Sequence, residues 1–206
     1  MKPYDVDLKL KTERELIFGG ARYICGVDEV GRGPLAGPVV CAAVIMPLDD
    51  IIIGVDDSKK LSAKKRAELS EKILKNAIAC NICRIEPQEI DDINILQATR
   101  LCMKNAVEGL EIAPDYVITD GNMTLDISVP QRSIVKGDAL SYSIGAASIV
   151  AKVYRDGLME EYDALYPQYG FKKNVGYGTA EHIAAIKAFG LCPIHRRSFT
   201  KKITLS

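Results

Sequence analysis

The alternation of apolar and polar positions divides the chain into strands and helices. Residues 5–19 carry Val6, Leu8, Leu10, Leu16 and Ile17 among charges, which predicts a short N-terminal helix. Tyr23-Ile24-Cys25-Gly26-Val27 reads as a buried strand running into Asp28-Glu29. Glycines 31, 33 and 37 with prolines 34 and 38 mark a turn-rich connection, and residues 39–46 form a second apolar run, suited to a strand covered on both faces. Ser62 is placed to cap a helix whose Leu69, Ile73 and Ala77 share one face, and residues 78–85 are a third strand candidate.

Residues 87–109 repeat apolar positions at helical spacing, and residues 115–119 form a short strand ending at Asp120-Gly121. Residues 131–135 suit another strand. A long helix is expected from about Asp138 or Ala139 through Ile144, Ala147, Ala151, Leu158 and Tyr162. Residues 180–189 predict a last helix closed by Gly190. Three strands ahead of most helices predict an α/β fold with a mixed central sheet, antiparallel first and joined by crossovers later. The whole chain, 1–206, reads as one domain in which residues from about 157 onward form a small helical appendage.

Composition narrows the classes. The 206 residues are 48% hydrophobic and 26% charged, which excludes wholesale disorder and fibrous architecture. Lys+Arg and Asp+Glu both number 27, so a nucleic-acid surface has to be local rather than global. The apolar runs are too short to span a membrane, and Met1-Lys2-Pro3-Tyr4-Asp5-Val6-Asp7 has no signal-peptide core, so a cytoplasmic protein is expected. Among six cysteines only Cys80 and Cys83 form a C-x-x-C, in an apolar stretch that favours packing over zinc or redox chemistry.

Candidate chemistry lies in the acids at element ends, where α/β proteins usually bind ligands. Asp28 and Glu29 follow the first strand, Asp120 ends a later one, and Asp138 stands at a helix start. Alone, each is explained by capping or solvation. If all four converge, their repulsion calls for hard divalent cations, and two such ions suit phosphodiester displacement. Adjacent strand residues face opposite ways, so Asp28 and Glu29 share a site only if the strand ends or kinks between them, or if one contributes its backbone carbonyl.

Gly31-Arg32-Gly33 permits close backbone approach to a ligand, with Arg32 suited to phosphate; the alternative is a tight turn with a solvated arginine. Lys59, Lys60, Lys64, Lys65 and Arg66 form one basic tract, and residues 171–206 hold seven basic residues against Glu181, arrangements that suit either phosphate-binding walls or solvated helix faces. Tyr177, between Gly176 and Gly178, is placed to stack on a base or sugar or to serve the turn. Neither His182 nor His195 has a sequence partner that suggests catalysis.

Several segments together resemble the type 2 ribonuclease H family, ribonuclease HII, in its bacterial form. They are Gly26-Val27-Asp28-Glu29-Val30-Gly31-Arg32-Gly33-Pro34-Leu35-Ala36-Gly37-Pro38-Val39, Asp57-Ser58-Lys59-Lys60-Leu61, Ile93-Asn94-Ile95-Leu96-Gln97-Ala98-Thr99, Thr119-Asp120-Gly121, Lys136-Gly137-Asp138, Ala146-Ala147-Ser148-Ile149-Val150-Ala151-Lys152-Val153-Tyr154-Arg155-Asp156 and Gly176-Tyr177-Gly178-Thr179. The extra N-terminal domain expected of ribonuclease HIII is not seen in this sequence, which points away from that sister family.

The resemblance implies a ribonuclease H-like fold. It implies an endonuclease that cuts RNA in RNA/DNA hybrids and cuts 5′ of single ribonucleotides embedded in duplex DNA, leaving a 3′-hydroxyl and a 5′-phosphate. It carries catalytic, metal-binding roles onto Asp28, Glu29, Asp120 and Asp138, with two Mn²⁺ or Mg²⁺ ions. It carries recognition of the ribose 2′-hydroxyl onto Gly31, Arg32 and Gly33 and junction sensing onto Tyr177. Lys59, Lys64 and Lys65 are expected to hold the substrate backbone, Asp156 to support rather than ligate, and the protein to act as a monomer on nucleic acid.

Overall fold

A computed structural model describes residues 4–204. The residues Met1, Lys2 and Pro3 used in the signal-peptide reading lie outside that range. Five strands form one sheet: β1 (Ile24–Val30), β2 (Val39–Ile45), β3 (Ala79–Ile85), β4 (Tyr116–Asp120) and β5 (Gln131–Ile134), in the order β3-β2-β1-β4-β5. The β1–β2 and β2–β3 pairs are antiparallel, while β1–β4 and β4–β5 are parallel. The sheet is therefore mixed in the order the sequence predicts.

The helices are α1 (Val6–Lys9), α2 (Lys11–Phe18), α3 (Ala63–Asn76), α4 (Pro87–Glu108), α5 (Gly137–Leu140), α6 (Tyr142–Leu165), α7 (Phe171–Asn174), α8 (Ala180–Phe189) and α9 (Arg197–Thr204). Two packed layers of core follow from strand alternation. Cys25, Val27, Cys41 and Ala43 face Ala98, Cys102 and Met103 of α4. Val40, Ala42 and Val44 face Leu69 and Ile73 of α3 and Ala146, Ala147 and Val150 of α6. β2 is buried along its whole length, which explains its lack of polar residues.

Gly26 lets α6 lie directly on β1. A Cβ there would come 2.1 Å from the Ser143 carbonyl carbon, so any side chain would push the helix off the sheet. Cys80 and Cys83 fall on opposite faces of β3, Cys80 against the α6 layer and Cys83 against the α4 layer, so the C-x-x-C cannot close on one metal.

Three helical predictions need correction. The N-terminal segment forms two short helices joined at Leu10, not one. The helix over 87–109 is interrupted at Asn94 (φ 67°, ψ 161°), whose Oδ1 accepts from the N–H groups of Leu96 at 3.0 Å and Gln97 at 3.2 Å. An asparagine side chain that competes for backbone donors restarts the helix there. The helix expected from about 138 is divided at Ser141 (φ −117°, ψ 136°), whose Oγ accepts from the Ile144 N–H. α6 then runs through position 157 to Leu165, and α7, α8 and α9 follow it. Ser62 caps α3 as its position suggests.

Candidate active site

β1 and β4 are parallel with Val27 opposite Thr119, so the next residues, Asp28 and Asp120, leave adjacent strands side by side on one sheet face. That face looks onto α6, where Ser148 neighbours the Asp28 carboxyl and favours its ionised form, and the Ser148 hydroxyl hydrogen-bonds that of Ser58 at 2.9 Å. Asp138 stands in the first turn of α5, and the preceding Gly137 donates its N–H to Asp120 Oδ1 at 2.6 Å. Three of the four acids are thus drawn around the ends of β1 and β4. β1 continues to Val30 without ending or kinking between residues 28 and 29, so alternation carries the Glu29 side chain toward the opposite face. Its Oε1 accepts from Arg32 Nη1 at 3.3 Å, and its backbone N–H donates to Asp28 Oδ1 at 2.8 Å.

The electrostatics match this placement. Burial, then Glu29 and Asp120, push the Asp28 carboxyl well above the usual carboxylate range. Burial also raises Glu29, against the opposing pull of Arg32 and with a further push from Asp120. Burial, Asp120 and Asp57 raise Asp138, and Lys59 opposes them. Lys59 is drawn into the same field: although burial acts against it, Asp138, Asp28, Asp57 and Asp120 lift its ammonium above the ordinary lysine value. The carboxyls of Asp28, Glu29 and Asp138 are all held toward the protonated form, chiefly by burial, and such a cluster of oxygen donors matches hard divalent cations. Among the described residues no three His, Cys, Asp or Glu side chains form a group that could hold an ion.

The glycine turn is built from beneath by two fully buried arginines. Arg196 donates to the carbonyls of Gly31, Arg32 and Gly37, the shortest bond being 2.6 Å to Gly31. Arg155 donates to the carbonyls of Pro38, Ala36 and Val175. A trans peptide points its C=O and the following N–H in opposite directions, so the N–H groups of Arg32 and Gly33 turn away from Arg196. Gly31 adopts φ 89°, and a Cβ there would strike Arg155 Nε at 2.2 Å; only glycine meets both conditions.

Tyr177 reaches the same turn. Its Cε1 lies 3.5 Å from where a Gly33 Cβ would be, and the side chain remains 45% exposed. The segment before it docks on the turn through Leu35 N–H to Gly176 O, 2.8 Å. Lys64 and Lys65 lie exposed in the first turn of α3, where Lys65 pairs with Glu68 at 3.6 Å. Asp156 binds Lys152 at 2.6 Å and neighbours Arg66 at 3.8 Å, a supporting position between α6 and α3.

Sequence reasoning missed several groups that shape the site. Buried Lys9 joins Asp56 Oδ1 at 2.7 Å to the Asp138 carbonyl at 3.4 Å, yet nothing local distinguishes it from a solvated lysine. Arg155 lies in the segment Ala146–Asp156 that resembles the family, which was its only signal; Arg196 read as one more basic residue of the C-terminal tract.

A family model described as ribonuclease HII matches residues 25–202. A ribonuclease HII from Ligilactobacillus salivarius is 55% identical over 199 residues, covering 96% of this chain and 78% of that protein. One from Caldicellulosiruptor saccharolyticus is 53% identical over 193 residues, 94% of each. Among solved structures, ribonuclease H2 from Pyrococcus horikoshii superposes with a TM-score of 0.75 at 28% identity, over 88% of this chain and 97% of that one. Likeness of this length in sequence, on a sheet of the ribonuclease H type, shows that the chain belongs to the ribonuclease HII family of metal-dependent endoribonucleases.

Proposed function

We propose that this protein hydrolyses the RNA strand of RNA/DNA hybrids and cuts 5′ of single ribonucleotides embedded in duplex DNA, leaving a 3′-hydroxyl and a 5′-phosphate. Asp28, Asp120 and Asp138 would hold two divalent ions, Mn²⁺ or Mg²⁺, with Glu29 contributing its backbone carbonyl. The bound ions supply an activated water and charge stabilisation at the leaving oxygen. The Gly137 N–H orients the Asp120 carboxyl.

The observation that carries this reading is the packing of the Tyr177 ring against Gly33 beside the acids at the end of β1. It sets an aromatic face and the outward N–H groups of Arg32 and Gly33 at one place. The 2′-hydroxyl is what distinguishes RNA from DNA at a single residue. Rigid backbone groups aimed at it discriminate strongly, because a deoxyribose leaves them unpaired. Tyr177 packs on the adjoining sugar, and Lys59, Lys64 and Lys65 hold phosphates without reading sequence. We take the enzyme to act as a monomer, since the residues assigned here all lie on one chain. Among the described residues no helix is long and apolar enough to cross a membrane, and we place the enzyme in the cytoplasm with the nucleic acid it acts on.

A substrate panel tests the proposal: an RNA/DNA hybrid, an RNA duplex, and duplex DNA with one ribonucleotide, each with Mg²⁺, Mn²⁺ or chelator. Cation-dependent cutting of the first and third alone is expected. Cutting of the RNA duplex, or of neither expected substrate, overturns it.

A further inference from the structure

Two buried histidines lie end to end behind Tyr177. His182 Nε2 is 3.0 Å from His195 Nε2, His182 Nδ1 is 2.8 Å from the Tyr177 carbonyl, and His195 Nδ1 is 2.9 Å from the Cys192 backbone nitrogen. His195 Nδ1 also lies 3.1 Å from the Cys192 Sγ. The backbone donor at one end and the carbonyl acceptor at the other fix where each proton sits. The Cys192 N–H can only donate, so His195 Nδ1 accepts and its Nε2 carries the proton. That Nε2–H donates to His182 Nε2, which leaves the His182 proton on Nδ1, aimed at the Tyr177 carbonyl. The chain of donors is complete and runs one way, from Cys192 to Tyr177. Both rings must be neutral for it to exist, and burial lowers His182 and, with His182 beside it, brings His195 down to about 4.

The relay is anchored at both ends. His195 bridges to Ala36, and the Arg196 N–H donates to the Leu35 carbonyl, so the histidine segment is tied to the connection that carries the glycine turn. The rings of Tyr169 and Phe171 enclose both imidazoles, with centroids 4.8–6.3 Å away. At its other end the Tyr177 carbonyl also accepts from the Thr179 N–H at 2.8 Å.

We propose that His195 and His182 are positioning residues that hold the Tyr177 backbone, and through it the ring over Gly33, so that they set selectivity for the RNA–DNA junction rather than the rate of bond cleavage. This rests on the reading that Tyr177 touches substrate at the junction.

The position of one amide nitrogen separates the relay from simple packing. In His182→Asn the amide replaces Nδ1 and still donates to Tyr177. In His182→Gln the amide lies at the Nε2 position instead, where its Oε1 accepts from the His195 Nε2–H, and Tyr177 is left without that donor. The measured quantity is the ratio of cleavage at a single embedded ribonucleotide to cleavage of a continuous hybrid, with Tyr177→Ala alongside. His182→Gln is expected to lower the ratio about tenfold, the worth of one hydrogen bond, while His182→Asn stays within about twofold of the parent. Equal ratios for the two variants, with Tyr177→Ala still lowering it, overturn the relay alone. An unchanged ratio in Tyr177→Ala overturns the junction reading and the proposal with it. Long-range proton–nitrogen spectra of the unmutated, histidine-labelled protein give a second readout that survives a variant that fails to fold. His182 is expected as the Nδ1–H tautomer and His195 as the Nε2–H tautomer; the reverse assignment, or a charged ring at neutral pH, overturns the relay.

Discussion

Arg196 Nη2 donates to the Gly31 carbonyl at 2.6 Å, across 165 residues of sequence. The C-terminal segment is therefore part of the floor of the site. Arg196→Met is expected to leave the Gly31, Arg32 and Gly37 carbonyls without their donor, costing about 3 kcal/mol of stability, at 1–3 kcal/mol per buried group left unpaired. Arg196→Lys keeps the charge but not the planar fork, and is expected to lose more than half of that amount. Urea unfolding measures both. A lysine variant as stable as the parent would show that charge alone holds the turn.

The acids yield a prediction that pairs activity with pH. Asp120→Asn or Asp28→Asn is expected to lower the cleavage rate at least about a hundredfold, since cation-based charge stabilisation is worth several kcal/mol. Metal-free stability should move the other way. Burial, Glu29 and Asp120 raise the Asp28 carboxyl, so the folded state keeps that proton to higher pH than the unfolded chain does. Its stabilising effect is complete below the unfolded value, about 3.9, and fades as pH climbs toward the folded one. Asp28→Asn should then raise the melting temperature at pH 8 and leave it unchanged near pH 3.5. A lower melting temperature at pH 8 contradicts the repulsion described here.

Lys59 and the α3 lysines are expected to behave differently. Lys64→Ala or Lys65→Ala should reduce the slope of log binding constant against log salt by about 0.9, as for one lost phosphate contact. Lys59 stands in the field of Asp28, Asp120 and Asp138, so Lys59→Ala removes a competing cation. Titration calorimetry should show tighter divalent-ion binding to the free protein. Weaker ion binding would mean that Lys59 organises the acids instead.

Tyr177→Ala is expected to lose about ten- to a hundredfold of activity on a single embedded ribonucleotide, in line with the 1–3 kcal/mol of an aromatic stack, and less on a continuous hybrid. Affinity for the divalent ion should be unchanged. Equal losses on the two substrates would make the ring a general positioning group.

Where neighbours in sequence decide the structure, the sequence was readable. The all-apolar β2 run, the Ser62 cap and the Gly190 stop each carry their cause locally. The breaks at Asn94 and Ser141 were hidden because a side chain that restarts a helix looks like any polar residue on a helix face. The opposed faces of Asp28 and Glu29 were legible from alternation, but only the continuation of β1 to Val30 settled them. Lys9, Arg155, Arg196 and the histidine pair were out of reach, because their partners lie far along the chain and no local pattern marks a buried charge or imidazole.

The central claim is that one 2′-hydroxyl beside Gly31-Arg32-Gly33 directs cutting by the acids at the ends of β1 and β4. Its most direct test is a duplex DNA with one labelled ribonucleotide, incubated with Mg²⁺ or Mn²⁺ and mapped to the nucleotide, beside a control with deoxyribose at that position. A single cut 5′ of the ribonucleotide, ending in a 3′-hydroxyl and a 5′-phosphate and absent from the control, is the predicted result. A cut 3′ of the ribonucleotide, or equal cutting of the control, would contradict it.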